Sequence, residues 1–306
     1  MNKLLNIHNQ VEALEAANSN CIKDMWLLLR PNQWIKNLFV FLGILFSGSW
    51  LDSYLLTQVF LTAVAFCLVS SAVYVLNDLL DRENDKMHPT KRFRPIASGK
   101  VTQGQARLLF LLCAVLGFSI GVIVSPLILL LLLLYLGQNI AYSKILKKVV
   151  IVDVFIIAFG FILRILAGTW GIGIAPSRWM LLCSLMLTLF LGFGKRWAEL
   201  SESGGEVSSR PVLGQYSIDI LNQFTGITAG GVIITYSLYT LDPSTIAMHK
   251  TDKLIYTVPF VIYGIFRYLY LVHTGKGGDP STLVSKDYHI IGAVFLWLSS
   301  VIWILR

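Results

Sequence analysis

Charge is what this chain has least of: Asp, Glu, Lys and Arg make up 14% of 306 residues, against 55% hydrophobic. A soluble domain carries about 25% charged residues, so most of this surface is not made for water. Cysteine is also scarce. Three of the four, Cys67, Cys113 and Cys183, lie inside apolar runs, and no CxxC or other metal-ligand spacing occurs, which excludes a zinc ribbon or dithiol redox site and leaves packing as their role. A leading signal-peptide core is missing too, because polar His8, Asn9 and Gln10 interrupt the start. Residues 1–24 therefore read as an N-terminal cytoplasmic extension with a short helix around Val11 to Ala17. Low-complexity tracts and sequence repeats are lacking as well.

What the chain does have is apolar runs near 35–50, 55–79, 106–124, 126–142, 149–170, 178–194, 224–241, 254–273 and 289–305. At 1.5 Å per residue each approaches the bilayer's hydrocarbon thickness. The expectation is an all-α, polytopic membrane helical bundle of about nine transmembrane helices, with residues 25–306 as one domain. The net charge of +8 does not point to nucleic acid, because the cations sit in short connections between apolar runs. Lys3, Lys23, Arg30 and Lys36 precede the first run, and Arg82 to Arg107 follow the second, whereas the opposite side carries only Arg178, Lys250, Lys253 and Arg306. The positive-inside rule then puts the N-terminus and the long connections 80–105 and 195–223 in the cytoplasm.

The strongest chemical signal is Asn77-Asp78-Leu79-Leu80-Asp81-Arg82-Glu83-Asn84-Asp85 at the end of the second run. At 100° per residue, Tyr74, Asn77, Asp78, Asp81 and Asp85 fall within an arc of about 100°. Like charges at this spacing repel, so the face calls for a counter-ion. Hard oxygen ligands suit Mg²⁺, which binds through one or two carboxylates and substrate phosphates. Next comes Lys86-Met87-His88-Pro89-Thr90-Lys91-Arg92-Phe93-Arg94-Pro95, a stiffened basic loop able to cap phosphates. A solvated loop of ordinary cytoplasmic charge is the plainer account of either segment. His88 is read as shaping the loop, since Mg²⁺ prefers oxygen.

Asn77-Asp78-x-x-Asp81-x-x-x-Asp85 in a bundle of this topology resembles the UbiA superfamily of intramembrane prenyltransferases, from about Arg30 to the C-terminus. Within it the chain is most similar to the decaprenyl-phosphate phosphoribosyltransferases. The strings Arg30-Pro31-Asn32-Gln33-Trp34-Ile35-Lys36-Asn37, His88 to Pro95, Tyr142-Ser143-Lys144-Ile145-Leu146-Lys147 and Phe161-Ile162-Leu163-Arg164-Ile165-Leu166-Ala167-Gly168 carry that likeness. The resemblance implies Mg²⁺-dependent transfer of 5-phosphoribose from 5-phosphoribosyl 1-diphosphate to a polyprenyl phosphate, in a multi-pass protein of the plasma membrane. It also implies catalytic Asp78, Asp81 and Asp85, metal ligands among Asn77, Asp78, Asp81 and Asp85, and substrate contacts from Lys36, Tyr74, Lys91, Arg94, Tyr142, Lys147, Asp153 and Arg164.

One departure stands out: where aromatic prenyltransferases of the superfamily carry a second DxxxD motif, this chain reads Gly194-Lys195-Arg196-Trp197-Ala198-Glu199. Two cations there suit a donor with an extra phosphate, and positive-inside charge explains them equally. Lys36 and Tyr74 also fit interfacial anchors, and Arg164 fits a side chain reaching for the far interface. Asp153 and Arg164 are eleven residues apart, about 16 Å on one helix face, so each needs its own partner or cavity. Arg267 has no functional reading beyond structure or interface. Two other functions remain: a prenyltransferase using prenyl diphosphate and an aromatic or other acceptor, and a transporter of anionic metabolites. Against the transporter, its site would lie near the midplane on broken helices, whereas the ionisable residues here gather at one face.

Overall fold

A computed structural model describes residues 22–202, 211–276, 283 and 286–306; the expected helix around Val11 to Ala17 lies outside them. The described residues are helical or irregular, with no strand among them. In chain order the helices are α1 (22–29), α2 (Leu42–Ser47), α3 (Ser53–Leu80), α4 (Arg82–Met87), α5 (Gln103–Val124), α6 (Pro126–Lys144), α7 (Val152–Ala167), α8 (Arg178–Glu202), α9 (Ile218–Leu241), α10 (Pro243–His249), α11 (Val258–Leu271) and α12 (Tyr288–Leu305). Among the described residues eight helical segments are long and apolar enough to cross a membrane. Every one matches an expected run. The expected first span, 35–50, is built differently, as a 3-10 helix over Pro31–Phe41 followed by α2 and a turn at Gly48 in the left-handed region (φ +69°). Its neighbour explains the departure. A methyl group on Gly168 would meet Val40 O at 1.7 Å and one on Gly43 would meet Gly168 O at 2.1 Å, so backbone packs on backbone here, as small residues permit in membranes.

The chain divides into two compact units. The first holds the described residues up to Ile35 with Val64–Ile123. Its core gathers Leu28, Val75, Ile96, Val101 and Ala106, so the irregular stretch after α4 is pinned by Ile96 and Val101, both almost fully buried. A reciprocal cap starts α5: Gln105 N–H donates to Thr102 Oγ1 at 3.3 Å while Gln105 Oε1 accepts from Thr102 N–H at 3.0 Å. The second unit holds Lys36–Ala63 and Val124–Arg306. Its largest core joins α7, α8, α9 and α11 through Val154, Phe190, Leu221 and Ile265, with Gly192 admitting Val154 and Gly231 admitting Met186. Helix starts are capped by Ser125, Ser217, Asp242 and Asp287, and buried threonines such as Thr188 and Thr225 return their hydroxyls to carbonyls four residues back. These hydroxyls and helix starts are thereby satisfied internally, as lipid demands.

Candidate active site

Each unit has a polar cluster of its own. In the first, α3 ends at Leu80 and Asp81 follows with a backbone (φ −90°, ψ 4°) outside the helical region, so the expected single Asp face is two helices meeting at a bend. The ladder carries across it, Asp81 N–H donating to Asn77 O at 2.9 Å and Asp85 N–H to Asp81 O at 2.8 Å. Asp78 and Asp85 remain on one side. Arg94 Nη1 donates to Asp78 Oδ1 at 3.1 Å and to Asp85 Oδ2 at 2.8 Å, and Arg30 Nη2 donates to Asp78 Oδ1 at 2.6 Å. Both carboxylates are buried, while the arginine side chains keep about a third of their surface exposed, 30% and 31%. Asn77, Asp81, Tyr74 and Lys91 are half-buried in the same unit.

Local folding aims these groups. Arg30 follows α1 in the left-handed region (φ +50°), which costs a non-glycine residue about 1–2 kcal/mol. That turn lays its guanidinium 5.0 Å from the centre of the Tyr74 ring and onto Asp78. Trp34 Nε1 donates to Ser71 Oγ at 3.0 Å, and Ser71 donates to Leu29 O at 2.8 Å, tying this segment to α3. His88 Nδ1 accepts from the backbone N–H of Thr90 and Lys91 at 3.3 and 3.4 Å, so it organises the basic loop. Glu83, fully in water, is held below the usual carboxylate range by Lys86 and serves the surface.

As a metal-binding set the side chains Asn77, Asp78, Asp81 and Asp85 offer oxygen throughout, the chemistry Mg²⁺ requires. Among the described residues no three His, Cys, Asp or Glu side chains form a ready cage. The donor set fits a divalent ion that completes its shell with phosphate oxygens.

The second unit's polar cluster buries Asp153, Arg164 and Arg196. Arg164 donates through Nε to Asn37 Oδ1 (2.7 Å), through Nη1 to Gly160 O (2.8 Å) and through Nη2 to Tyr135 Oη (2.9 Å), with its guanidinium 4.6 Å from the centre of the Tyr135 ring. Gln138 crowds the same place: a methyl on Gly160 would meet its Nε2 at 2.6 Å, and its buried Oε1 has no partner among the described residues. Further along α7, Asp153 has both oxygens in use, Oδ2 accepting from Arg196 Nε at 2.7 Å and Oδ1 from Tyr216 Oη at 2.8 Å. Arg196 also reaches Glu199 at 2.6 Å. Burial pushes the Tyr216 phenol well above its usual range, keeping the proton it gives to Asp153. Tyr216 Oη in turn accepts from Ile151 N–H at 2.7 Å, at a β-branched residue with φ +69°, a strained turn.

Of the residues the sequence singles out, the structure thus joins Tyr74, Asp78, Asp85 and Arg94 in one unit. Asp153 and Arg164 stand apart on α7, each with a separate set of partners. Tyr142 ends α6, Lys147 lies in the 3-10 helix Leu146–Lys148 and Lys36 in that over Pro31–Phe41, all three half-buried. Arg196 is enclosed by Asp153 and Glu199, which turns it from a phosphate ligand into a counter-ion. Arg267 pairs with Asp287 at 2.8 Å, a structural contact. Sequence reasoning missed Tyr135, Asn37 and Tyr216. Tyr135 had a signal, as a polar group inside an apolar run; Tyr216, 63 residues from Asp153, had none.

The UbiA prenyltransferase family model matches residues 37–299. A decaprenyl-phosphate phosphoribosyltransferase of Mycolicibacterium smegmatis is 32% identical over 315 residues, covering 96% of this chain and 96% of that protein. The enzyme of that name from Corynebacterium glutamicum is 31% identical over 294 residues, 92% of this chain and 87% of that one. Among solved structures, a UbiA homolog from Archaeoglobus fulgidus bound to GPP and Mg²⁺ shares the fold with a TM-score of 0.69 at 15% identity, over 92% of this chain and 99% of that one.

Proposed function

Because the chain belongs to the UbiA prenyltransferase family and is a multi-pass membrane enzyme, we propose that it transfers 5-phosphoribose from 5-phosphoribosyl 1-diphosphate to a polyprenyl phosphate, releasing diphosphate. The observation that carries this is the arginine-bridged pair Asp78 and Asp85 beside half-buried Asn77 and Asp81, in a chain about 30% identical to phosphoribosyltransferases over nearly its whole length. Asn77, Asp81 and either Asp78 or Asp85 would hold Mg²⁺, which supplies Lewis-acid charge and a template for the leaving diphosphate.

The protein's own part is binding and orientation. Arg30 and Arg94, exposed on one side and anchored on the other, can turn a donor hydrogen bond to a phosphate oxygen without leaving the carboxylates they hold in place. Tyr74 presents its hydroxyl to ribose or phosphate. The bond between ribose C1 and the diphosphate oxygen breaks, and a bond from C1 to an acceptor phosphate oxygen forms. That oxygen is already ionised, so a general base is not required, and the rate enhancement comes from positioning and from stabilising the departing charge. Asp153, a candidate substrate contact by resemblance, has both oxygens committed to Arg196 and Tyr216. Which cations read the sugar 5-phosphate is a question for substitution, with Lys36, Lys91, Lys147 and Arg164 as candidates and Tyr142 beside Lys147. Loss of a cation that pairs with a bound phosphate costs about 2–5 kcal/mol. The variant that reads the 5-phosphate loses affinity for the donor while keeping it for plain diphosphate.

We place the reaction at the cytoplasmic face of the plasma membrane, where basic loops concentrate an anionic donor. In a cysteine-free background, an external thiol reagent should label Lys250→Cys and miss Lys91→Cys; the reverse pattern overturns this orientation. The reaction itself is tested by offering purified protein, Mg²⁺ and polyprenyl phosphate either ribose-labelled phosphoribosyl diphosphate or prenyl-labelled diphosphate. Ribose label entering lipid supports the reading. Transfer of prenyl label alone replaces it with the prenyltransferase alternative.

A further inference from the structure

Two cavities occupy the second unit, and neither contains an expected site residue. One, of about 400 Å³, is walled almost wholly by apolar and aromatic side chains. Along α8 it runs from Leu191 to Met180, about 16 Å at 1.5 Å per residue. Leu38 and Val294, 58% and 47% exposed, line it as well, so it opens sideways. The other, about 840 Å³, continues beyond Met180 to Arg178 and Ala175. Phe46, Met180 and Tyr239 line both. They are the partition between the two spaces.

One wall of the groove beside the partition is fixed by hydrogen bonds. Trp297 Nε1 donates to Tyr236 Oη at 2.7 Å, Tyr236 meets Thr257 Oγ1 at 2.6 Å, and Thr257 donates to Leu254 O at 2.6 Å. The proton order is therefore set from Trp297 to Tyr236 to Thr257 to the carbonyl. The Phe46 ring has no such tether, although the His249 side chain holds the Phe46 backbone. It rests edge-on against Tyr239 at 5.3 Å and tilted against Trp297 at 6.0 Å, near the end of α2 and two residues before Gly48.

We propose that Phe46, backed by Met180 and Tyr239, is the floor of the groove that takes the isoprenoid chain of the acceptor, and so limits how much of that chain the protein holds. This rests on the reading that the acceptor is a polyprenyl phosphate. The occupant follows from the wall: Tyr236 Oη, Trp297 Nε1 and Cys183 Sγ are turned to Thr257, to Tyr236 and to Val232 O, and the remaining lining is mostly aliphatic and aromatic carbon. A groove about 16 Å deep holds only part of a decaprenyl chain, and the remainder leaves through the lateral opening. Removing the Phe46 ring joins the groove to the larger cavity and lengthens the bound part.

The test measures binding of farnesyl, geranylgeranyl and decaprenyl phosphate to the full chain in nanodiscs, with phosphoribosyl transfer recorded on the same samples. Wild type should bind geranylgeranyl and decaprenyl phosphate alike. Phe46→Ala should favour decaprenyl phosphate on the order of tenfold, the scale of added methylenes in an apolar pocket, and Phe46→Leu should fall between them. Ala175→Trp, which narrows the larger cavity, should change nothing alone and should reduce the gain in the double variant. Equal ratios in wild type and a folded Phe46→Ala overturn the proposal, as does a double variant that keeps the full gain. Displacement of decaprenyl phosphate by ordinary phospholipid at equal potency also overturns it, by making bulk lipid the occupant. Absence of ribose transfer from wild type bears on the proposed reaction and leaves the binding comparison standing.

Discussion

The two polar clusters use the same residue types to opposite ends. In the first unit the carboxylates Asp78 and Asp85 are buried while their arginines keep 30% and 31% of their side-chain surface exposed. In the second, Arg196 and Asp153 are both sealed, at 1% and 0%, and Arg164 has three nitrogens engaged at 4% exposure. A half-exposed arginine can take on a further phosphate oxygen at little desolvation cost. A sealed one is fixed by the cost of leaving its partner alone. Strained backbone adjoins both, at Arg30 and at Ile151, so each cluster is held against local preference by what it binds. The first cluster is built to exchange partners, and the Asp153–Arg196 pair of the second to hold a shape.

The largest effect that would sharpen the contrast is on stability. Asp153→Ala leaves Arg196 with Glu199 as its remaining counter-ion and takes the acceptor from Tyr216 Oη, and should cost about 3 kcal/mol, read as a fall in the denaturation midpoint, whereas Asp153→Leu with Arg196→Met should recover most of it. A midpoint unchanged in Asp153→Ala would break the contrast. Next, Asp81→Asn in the first unit should leave the midpoint near that of wild type and lower turnover about 10²–10³-fold, the scale of one lost electrostatic contact to a departing group; steady-state rates at saturating and limiting Mg²⁺ measure it. Third, Arg164→Lys keeps the charge but abandons part of the fork that serves Asn37, Gly160 and Tyr135, costing about 1–3 kcal/mol through unsatisfied partners.

The smallest effect is a pH dependence at the start of α12. Arg267 draws the Asp287 carboxyl down to about 2 from the ordinary 3.8, and Asp287 also caps Ile290 N–H at 3.0 Å. A depressed carboxylate stabilises fully above its unfolded value and loses that contribution as pH falls toward 2. The gap in thermal midpoint between wild type and Asp287→Asn should therefore be constant above about pH 5 and close between pH 4 and pH 2. A gap that does not narrow there removes the ion pair from the account.

What was legible in the sequence was whatever depends on local periodicity. Eight apolar runs became helices because lipid leaves the backbone no other choice, and Asp78 and Asp85 stay on one side, sharing Arg94, because the hydrogen-bond ladder runs on past the bend. The stretch 35–50 was less legible, since hydropathy is blind to Gly43 and Gly168 meeting backbone to backbone, and that contact shaped it. The bend at Asp81 was hidden for a similar reason: the helical ladder runs on through it. Long-range partners were the least readable. Arg196 looked open to phosphate because Asp153, which closes it in together with neighbouring Glu199, stands 43 residues away, and Tyr216 and Asn37 belong to their networks only through the packing of α7 against its neighbours.

The most direct measurement is equilibrium binding of phosphoribosyl diphosphate to wild type and Asp81→Asn, with and without Mg²⁺. If the first unit's Asp face holds the metal and diphosphate, Mg²⁺ should tighten binding to wild type by on the order of tenfold or more, and Asp81→Asn should lose that gain while binding the metal-free donor as before. An equal Mg²⁺ gain in both proteins would contradict the account.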